Sequence, residues 1–594
     1  MGTIGRPPKS ILIVSGTFIS KPAAIRIREV WREMMLNLLD RRSREMVVLL
    51  SGILMPSWVW GQSGSAPASH PRPDVQLRLR SLTELLNKAE YAAGLMDQGE
   101  SIRGLKTLLF LTRLQGKGVE GIHPDRPLGL YANFKPDLVS SSFVILIPLA
   151  DRDAFLNLLK ERLGCTVEKL RGDGYKLTLP GELPLMAVGI DNLFLRFEQD
   201  YVYAARFAED LEAARLIKAA TFFAADDGAA LSLRLRLDRI SEDVKKFLVG
   251  QLEMVIEEGM RENPPQDDVG RRLAPWLKTH LVNLAQTVLL DTEQIDISIH
   301  VDEKKGELAS ELRLRPKGGS LLASNLGTFA KRLSLPAGIV QSVSRAAARG
   351  GVHVGMTPLA RREFAQVVQN IAADAVKNAA PDEREFVEGL FQAILPTLKA
   401  AEFDAALALT PADSEGHHKL LAALAVQQGK EIEKYLRGIA PILTAVELAD
   451  FSFDRETLGD FRIHRVVING LPDTVDQLFG TTTIWLAVSE RCLAWSIEEK
   501  GELLRSALKQ VQAVSVPLAD VEVSAMAILP VLAPHLHSDE IKAIRREVFG
   551  EKDPSNRDRI RLRITAGDQL TIKLEGQGAA IRLLHLANVF RPTP

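Results

Sequence analysis

The stretch IDISIHVDEKKGELASELRLRPKGGSLLASNLGTF, residues 295–329, decides the fold class. From Ile295 to Val301 branched apolar residues alternate with polar ones, which is the period-two pattern of a half-buried strand. The charged residues 302–306 predict a turn, and a second alternating run follows it. After Gly319, leucines recur at helical spacing. The stretch therefore predicts a β-hairpin followed by an amphipathic helix.

The same order of turn, strand and helix signals recurs at irregular intervals along the chain. The irregular spacing argues against a strict solenoid. Internal duplication would explain the recurrence, and so would coincidence, because a hairpin followed by a helix is common in α+β proteins. Both explanations stay open from the sequence. The four further copies are residues 194–217, 403–436, 483–510 and 560–587.

The two halves of the chain also share a longer order: hairpin and helix, lone strand, long helices, hairpin and helix. A sheet with one apolar face needs a cover, and amphipathic helices supply it. We therefore predict an α+β fold of antiparallel-rich sheets covered by amphipathic helices. We expect two related lobes, residues 75–335 and 336–594, built from repeated β-hairpin–helix units.

Composition limits the classes of partner and compartment. The 594 residues include 74 basic and 75 acidic side chains, so no net field predicts binding to nucleic acid. Hydrophobic residues make up 46% of the chain, which is enough for sizeable cores. Two cysteines, Cys165 and Cys492, exclude a disulfide framework. They could form one bridge in an oxidising compartment or remain as two buried thiols.

Residues 41–68 have the features of a secretory signal peptide. Three arginines precede the apolar run 46–59, and small residues suitable for cleavage follow it. The run is shorter than the roughly 20 residues of a membrane span, so we expect no transmembrane helix in the mature chain. A start at Met34 or Met35 would give a signal of ordinary length. An uncleaved signal anchor is the alternative.

This interpretation divides the N-terminal part of the chain in two. Residues 1–61 are an N-terminal extension and signal peptide, and residues 62–74 are a Pro/Ser-rich linker.

Three segments resemble a class of exported, uncharacterised proteins of planctomycete-type bacteria. They are HPDRPLGLY at 123–131, FVILIPLADRDAFLNLL at 143–159 and LPDTVDQLFGTTTIWLAVSERCLAWSI at 471–497. The resemblance is one of pattern and covers most of residues 100–590. It implies a signal peptide, repeated hairpin-plus-helix units and export, and it supplies no catalytic residue.

A candidate metal site lies in the segment His535-Leu536-His537. Alternating histidines on an extended segment point the same way and could share an ion. A third ligand would have to come from elsewhere in the chain. The alternative is a polar loop in which Ser538 or Asp539 caps the following helix. The sequence contains no nucleophile elbow, phosphate loop, dinucleotide fingerprint or His-Glu-Xaa-Xaa-His motif.

Two further polar groupings have a structural explanation beside a functional one. Asp473 and Asp476 could act as an acid–base pair, or they could complement a helix dipole. The outward residues of two strands, including Arg234 and Arg561, could bind a polyanion. Acids such as Asp296 on neighbouring strands instead favour ion pairs across the sheet.

The sequence as a whole favours an exported, non-catalytic envelope protein that acts by binding or scaffolding. We expect no cofactor, and the partner is an envelope protein or ligand whose identity the sequence does not give. One alternative is an exported metal-assisted hydrolase, which needs His535, His537 and a third ligand close together. Another is a carrier of an apolar ligand, since curved sheets covered by amphipathic helices can leave a groove, and a carrier needs a continuous apolar cavity. A scaffold should instead expose an apolar patch or an unpaired sheet edge.

Overall fold

The computed structural model describes ten stretches of the chain. The N-terminal extension, the signal peptide and most of the predicted linker lie outside them, so those interpretations stay predictions. The described residues are 73–96, 120–135, 140–180, 191–224, 228–265, 268–381, 383–509, 511–532, 538–550 and 557–589.

The first part of the described chain contributes ten strands to a large sheet. These are β1 (Val75–Leu79), β2 (Leu128–Asn133), β3 (Ser142–Pro148), β4 (Thr166–Lys169), β5 (Gly174–Thr178), β6 (Asn192–Glu198), β7 (Tyr201–Ala205), β8 (Leu231–Arg236), β9 (Thr292–Asp302) and β10 (Glu307–Pro316). Their spatial order is β4-β5-β6-β7-β3-β2-β1-β8-β9-β10, and every neighbouring pair is antiparallel.

The second part contributes ten more strands and a separate two-strand ribbon. The strands are β11 (Leu333–Ser334), β12 (Ala348–Gly355), β13 (Glu402–Leu409), β14 (Leu420–Ala425), β15 (Ala449–Leu458), β16 (Phe461–Ile468), β17 (Thr483–Val488), β18 (Cys492–Ile497), β19 (Val514–Ser515), β20 (Ala519–Ser524), β21 (Arg559–Thr565) and β22 (Leu570–Gln577). β11 pairs only with β19. The other ten follow the order β15-β16-β17-β18-β14-β13-β12-β20-β21-β22.

One strand pair joins the two sets. β22 lies antiparallel to β10, so the twenty strands form a single sheet in the part of the chain described here. When the strands of each set are numbered in chain order, both sets follow the spatial order four, five, six, seven, three, two, one, eight, nine, ten. The α+β class and the large antiparallel sheet are therefore confirmed.

The helices connect the strands and cover the sheet. The first part of the chain has α1 (Leu82–Gly94), α2 (Arg152–Asn157), α3 (Ala219–Phe222), α4 (Glu242–Glu262), α5 (Asp268–Asp291) and α6 (Leu321–Phe329). The second part has α7 (Leu335–Gln341), α8 (Pro358–Asn378), α9 (Arg384–Ala400), α10 (Gly429–Ala445), α11 (Asp473–Phe479), α12 (Glu502–Leu508), α13 (Ala525–Leu532), α14 (Ser538–Phe549) and α15 (Gly578–Val589).

Each of the five predicted hairpins is present as an antiparallel strand pair. The helix predicted at the end of the first copy is wrong, because a short 3-10 helix, Ala208–Leu211, stands there. Side chains of the sheet form hydrogen bonds with backbone groups that a helix would have paired within itself. Arg196 donates to the Leu211 carbonyl, and the Tyr131 hydroxyl accepts from the Ile217 N–H.

The largest apolar core lies in the second part of the chain, where α7 and α12 pack on one face of the strands β13 to β18. Cys492 is buried in that core, and Cys165 is buried in the core around α2. Both are free thiols, which decides between the two alternatives that the sequence left open. Within the described residues, no helix has both the length and the apolarity needed to span a membrane.

Candidate functional site

The central strands of the sheet have two faces of different chemistry. In spatial order, these strands are β9, β10, β22, β21, β20, β12 and β13. One face carries charged pairs: Arg234 donates to Asp296 at 2.6 Å, and Arg561 donates to both oxygens of Asp520 at 2.8 and 2.7 Å. Burial alone would raise the pKa of Asp520, but the hydrogen bonds and charges of Arg561 and Arg563 outweigh it and lower that pKa. The predicted cross-strand ion pairs are therefore confirmed on this face.

The opposite face of the same strands is apolar. The strand register places one residue of each strand side by side in a line across the sheet, with Ser310 and Gly350 as the two interruptions. We call this line the central apolar row. Its apolar members are Ile299, Leu574, Leu562, Val521 and Leu407.

The central apolar row is open to solvent to an unusual degree. Leu574 is 48% exposed, Leu407 45% and Ile299 41%, although all three lie in the middle strands of a large sheet. Scattered exposed apolar residues are normal on protein surfaces, but a line of them on adjacent strands is an apolar patch. Such patches mark binding sites.

Helices cover the ends of these strands and leave the row between them uncovered. Leu322 and Leu326 of α6 pack against Leu314 at one end. Ile560, at the other end, packs against the cluster that α13, α14 and α15 form. The row therefore forms the floor of a groove with a helical cover on both sides.

Helix α5 adds apolar side chains near one side of this groove. Val288 packs against the same cluster as Leu322 and Leu326. Leu284, Leu281 and Leu277 follow Val288 at intervals of three and four residues, so they share its face of the helix. All three are exposed. α5 thus continues the apolar surface beyond its contact with α6.

Gly350 gives the row a gap at which the backbone itself is accessible. A Cβ atom at this position would lie 3.8 Å from Val521 Cγ2 and 3.9 Å from Leu407 Cγ. These are ordinary van der Waals distances, so sterics do not require the glycine. Glycine inside a strand often marks a place where another molecule approaches the backbone.

A polar cavity lies at the adjoining ends of β12 and β13, and His353 and Asp404 line it from the face of the sheet opposite to the central apolar row. Val354 and Phe403 are cross-strand neighbours on the face of the row, and both are partly exposed. Val354 also lines the cavity, which has a volume of about 310 Å³. Its polar lining consists of Arg332, His353, Thr397, Glu402, Asp404 and Gln427.

His353 and Asp404 lie at the centre of this polar region, because they also line a second cavity of about 430 Å³ under α7. His353 is 7% exposed, its Nδ1 is 3.5 Å from Asp404 Oδ1, and neither ring nitrogen has a hydrogen-bond partner among the described residues. A buried polar group without a partner is costly, so it calls for a ligand or another explanation.

The hydroxyl of Ser334 completes this group but does not form a catalytic triad with it. Ser334 Oγ donates to Asp404 Oδ1 at 2.5 Å and accepts from the Ala337 N–H at 3.0 Å, which caps α7. A serine nucleophile must give its proton to a histidine that a carboxylate orients. Here the Asp404 carboxylate lies between Ser334 and His353, so the Ser334 hydroxyl has no direct contact with the histidine. The hydroxyl instead caps α7.

A third polar cluster lies on α10 and the hairpin β15–β16. Glu433, Asp454 and His464 bring three potential metal ligands within 4.8 Å of one another. Arg437 donates to both carboxylates, at 2.7 Å to Glu433 and 2.6 Å to Asp454, and Arg462 lies 2.6 Å from Glu433. Two guanidinium groups thus occupy the carboxylates. A metal ion would have to displace them, so we assign this cluster to the stability of the fold.

The remaining residues that the sequence singled out fall in two places. His535 and His537 lie outside the described residues, so the metal site remains a prediction. Asp473 and Asp476 both lie in the first turn of α11, which fits the helix-dipole interpretation.

The sequence patterns did not identify the central apolar row, His353 or Asp404. The available signal was Gly350-Gly351 inside the alternating run ARGGVHVG, because paired glycines are unfavourable in a strand that packs on both faces. Which residues lie beside that run depends on pairing with β13 and β20, and alternation does not specify pairing.

Comparison of this chain with protein-family models, with curated proteins and with solved structures gives no match in any of the three searches.

Proposed function

We propose that this protein is a non-catalytic binding protein that carries an apolar ligand along the central apolar row. The single observation that carries the proposal is the row itself, a line of solvent-exposed apolar residues on adjacent strands with helices on both sides. The row offers hydrocarbon to a ligand, and hydrocarbon can bind but cannot transfer protons or electrons.

The dimensions of the row suit an extended alkyl chain. It crosses seven strands, and with about 4.8 Å between neighbouring strands its length is about 29 Å. Fully burying a leucine or valine side chain stabilises by about 1.5–3 kcal/mol, so covering a half-exposed one contributes about 1 kcal/mol. Several such contacts together would hold a long alkyl chain.

The proposal includes two related lobes with repeated β-hairpin–helix units. The shared strand order of the two sets supports it, because ten strands have many other arrangements available. The hairpin β2–β3, which α2 follows, has the same place in the first set as β13–β14 and α10 in the second. A duplicated ancestral unit explains both correspondences.

Export to the cell envelope is also part of the proposal. The signal-like residues 41–68 and the resemblance to exported proteins of planctomycete-type bacteria support it. A protein that meets membranes in the envelope would encounter ligands with long alkyl chains there.

Displacement of a fluorescent dodecyl probe by dodecanol tests the proposal on the purified protein. Leu407→Gln and Val521→Gln should each weaken dodecanol about fivefold, because each loses about 1 kcal/mol of apolar contact. Leu163→Gln is the matched control, since Leu163 is 41% exposed but lies beside the edge strand β4. Failure of dodecanol to displace the probe, or equal weakening in the control, would overturn the proposal.

A further inference from the structure

We infer that the 430 Å³ cavity under α7 binds a dipeptide, with the ammonium group of the dipeptide at Asp404, its carboxylate at Arg349 and its peptide group over Gly351. This cavity lies on the charged face of the sheet, opposite to the central apolar row. The inference therefore describes a second binding site and does not rest on the proposed function.

The first step is the line of residues that forms the floor of the cavity. Arg349, Gly351 and His353 alternate along β12, so they share one face of the strand. On the neighbouring strand β20, Glu522 lies opposite Arg349 and Asp520 lies opposite Gly351. Both acids belong to the charged pairs, so the floor of the cavity is part of the charged face.

Helix α7 covers this floor along its length. Ser334, which caps the start of α7, donates to Asp404. Just beyond the other end of α7, the carbonyl of Val343 accepts from the guanidinium group of Arg349. The helix therefore passes over the cavity from the Asp404 end to the Arg349 end.

Gly351 leaves space for a ligand between these two ends. A Cβ atom at this position would lie 3.7 Å from the Ala405 carbonyl oxygen and 3.8 Å from Ala406 Cβ. These are ordinary van der Waals distances, so sterics do not require the glycine. Along the side of the cavity, Arg561 is 32% and Arg563 39% exposed, so a ligand can enter from solvent there.

The second step is the charge at each end of the cavity. Among the described residues, Arg349 has no carboxylate within 4.0 Å, and its buried Nε has no hydrogen-bond partner. Asp404 likewise has no lysine or arginine within 4.0 Å in the described chain, and its basic neighbour is His353 at 3.5 Å. A ligand with a carboxylate at one end and an ammonium group at the other pairs with both charges.

The other charged groups of the cavity already have partners of opposite charge. Arg561 and Arg563 both bind Asp520. Glu522, the cross-strand neighbour of Arg349, is bound by Arg559 at 3.0 Å and lies 3.6 Å from Arg561. These pairs leave Arg349 and Asp404 as the two charges that a ligand would compensate.

The third step is the distance between the two ends. Asp404 lies opposite His353, which is four residues from Arg349, so the ends are about 13 Å apart along the strand. A hydrogen bond of about 2.9 Å at each end leaves about 7 Å for the ligand. Two extended residues span about 7 Å, whereas one residue is too short and three are too long.

The fourth step is the polar middle of the cavity. Both ring nitrogens of His353 and the buried Nε of Arg563 lack a partner among the described residues, and His353 is 7% exposed. A neutral imidazole has one donor and one acceptor nitrogen. A peptide group also has one donor and one acceptor, so it can donate to His353 and accept from Arg563.

Titration calorimetry at neutral pH with five ligands tests the inference. Glycine, diglycine and triglycine differ in length, while N-acetyl-diglycine lacks the ammonium group and diglycinamide lacks the carboxylate. Diglycine should bind at least about tenfold tighter than each of the other four. Each of these leaves one end of the cavity unpaired or does not fit between the ends, and a hydrogen bond between charged groups is among the strongest in proteins.

Variants assign the two charges of the ligand to the two ends. Arg349→Gln should weaken diglycine about tenfold and leave diglycinamide unchanged, because diglycinamide has no carboxylate to lose. Asp404→Asn should weaken diglycine to a similar degree and leave N-acetyl-diglycine unchanged. Arg234→Gln is the matched control, since Arg234 pairs with Asp296 on the same face of the sheet but outside the cavity.

A further variant blocks the middle of the cavity without changing a charge. Gly351→Val should abolish diglycine binding, and valine suits a strand, so this variant serves if Asp404→Asn does not fold. Affinity that survives Gly351→Val would place the dipeptide elsewhere and overturn the inference.

The remaining outcomes also decide the question. If N-acetyl-diglycine or diglycinamide binds as tightly as diglycine, the cavity recognises one charge and the inference is wrong. Tightest binding of glycine or triglycine, or binding of none of the five, would likewise overturn it. Diglycine should not displace the fluorescent dodecyl probe, because the two sites lie on opposite faces of the sheet. Failure of the dipeptide site therefore leaves the test of the proposed function intact.

Discussion

The backbone N–H of Asp454 donates a hydrogen bond of 3.1 Å to Nδ1 of His464. His464 is fully buried, so this bond fixes Nδ1 as the acceptor and leaves the proton on Nε2, which faces Glu433 at 3.6 Å. Asp454 itself has a left-handed backbone conformation with φ of 53° at an irregularity in the pairing of β15 with β16. This backbone conformation thus directs the N–H of Asp454 toward the imidazole ring of His464.

This arrangement predicts a pH-dependent stability. Burial lowers the pKa of His464 below its usual value of about 6.5, even though Glu433 opposes the shift. The folded protein therefore keeps the imidazole neutral at pH values where the unfolded chain binds a proton. The contribution of His464 to the free energy of unfolding is complete above pH about 6.5 and is lost as the pH falls below that value.

The measurement is the free energy of unfolding by denaturant at pH 7.5 and pH 5.5. His464→Asn retains an acceptor near Nδ1 but cannot titrate, so its stability should fall less between the two pH values than that of the wild type. His417→Asn is the control, because His417 lies in an exposed hairpin turn. If His464→Asn keeps the wild-type pH dependence of stability, the assignment of that dependence to His464 is wrong.

Glu433 and Asp454 bind the same guanidinium group from different depths, which predicts unequal stability effects. Glu433 is 2% exposed and Asp454 is 55% exposed. Glu433→Gln should lower the free energy of unfolding by about 1–3 kcal/mol, since a buried carboxylate that satisfies two arginines is lost. Asp454→Asn should change it by less than about 1 kcal/mol, because exposed ion pairs contribute little and asparagine tolerates the left-handed backbone. Similar losses in both variants would show that burial does not set the strength of these pairs.

Gly350 gives a prediction with opposite signs for stability and binding. Gly350→Ala should raise the free energy of unfolding by about 0.4–1 kcal/mol, because it restricts the unfolded chain and its Cβ makes ordinary contacts. The same methyl group occupies the gap in the central apolar row, so dodecanol should bind more weakly. Gly501→Ala is the contrast: its φ is 74° and a Cβ would lie 2.5 Å from the Trp485 ring, so it should destabilise. A Gly350→Ala variant that binds dodecanol more tightly would place the alkyl chain elsewhere.

The two thiols predict slow alkylation of the folded protein. Burial raises the pKa of Cys492 to about 12 and also raises the pKa of Cys165, and thiolate is the reactive form. Intact mass after treatment with iodoacetamide at pH 8 should show little modification in the native protein and two additions after unfolding in denaturant. If the unfolded protein shows no addition, its two cysteines form a disulfide bridge.

The local structure was predictable from the sequence to a useful degree. The alternation at 295–301 lies within β9, and the long helices expected between the lone strand and the second hairpin of the first half correspond to α4 and α5. Local periodicity decides such elements because it reports which side of each segment meets apolar neighbours. The pairing of β10 with β22 was not predictable, since a period of two does not identify a partner strand. Predicting the polar cavity requires the same knowledge of strand pairing, because His353 lies beside Asp404 only through the register of β12 with β13.

The junction of β10 with β22 has a consequence for synthesis of the chain. Glu307 and Gln577 face each other across it, although they are 270 residues apart. At about 5–20 residues per second, a ribosome takes on the order of 10–50 s to deliver the partner of β10. During that interval β10 is an open edge with an apolar face, a state prone to intermolecular pairing. A nascent chain that folds its first part before β22 is synthesised therefore exposes the edge of β10 to other chains.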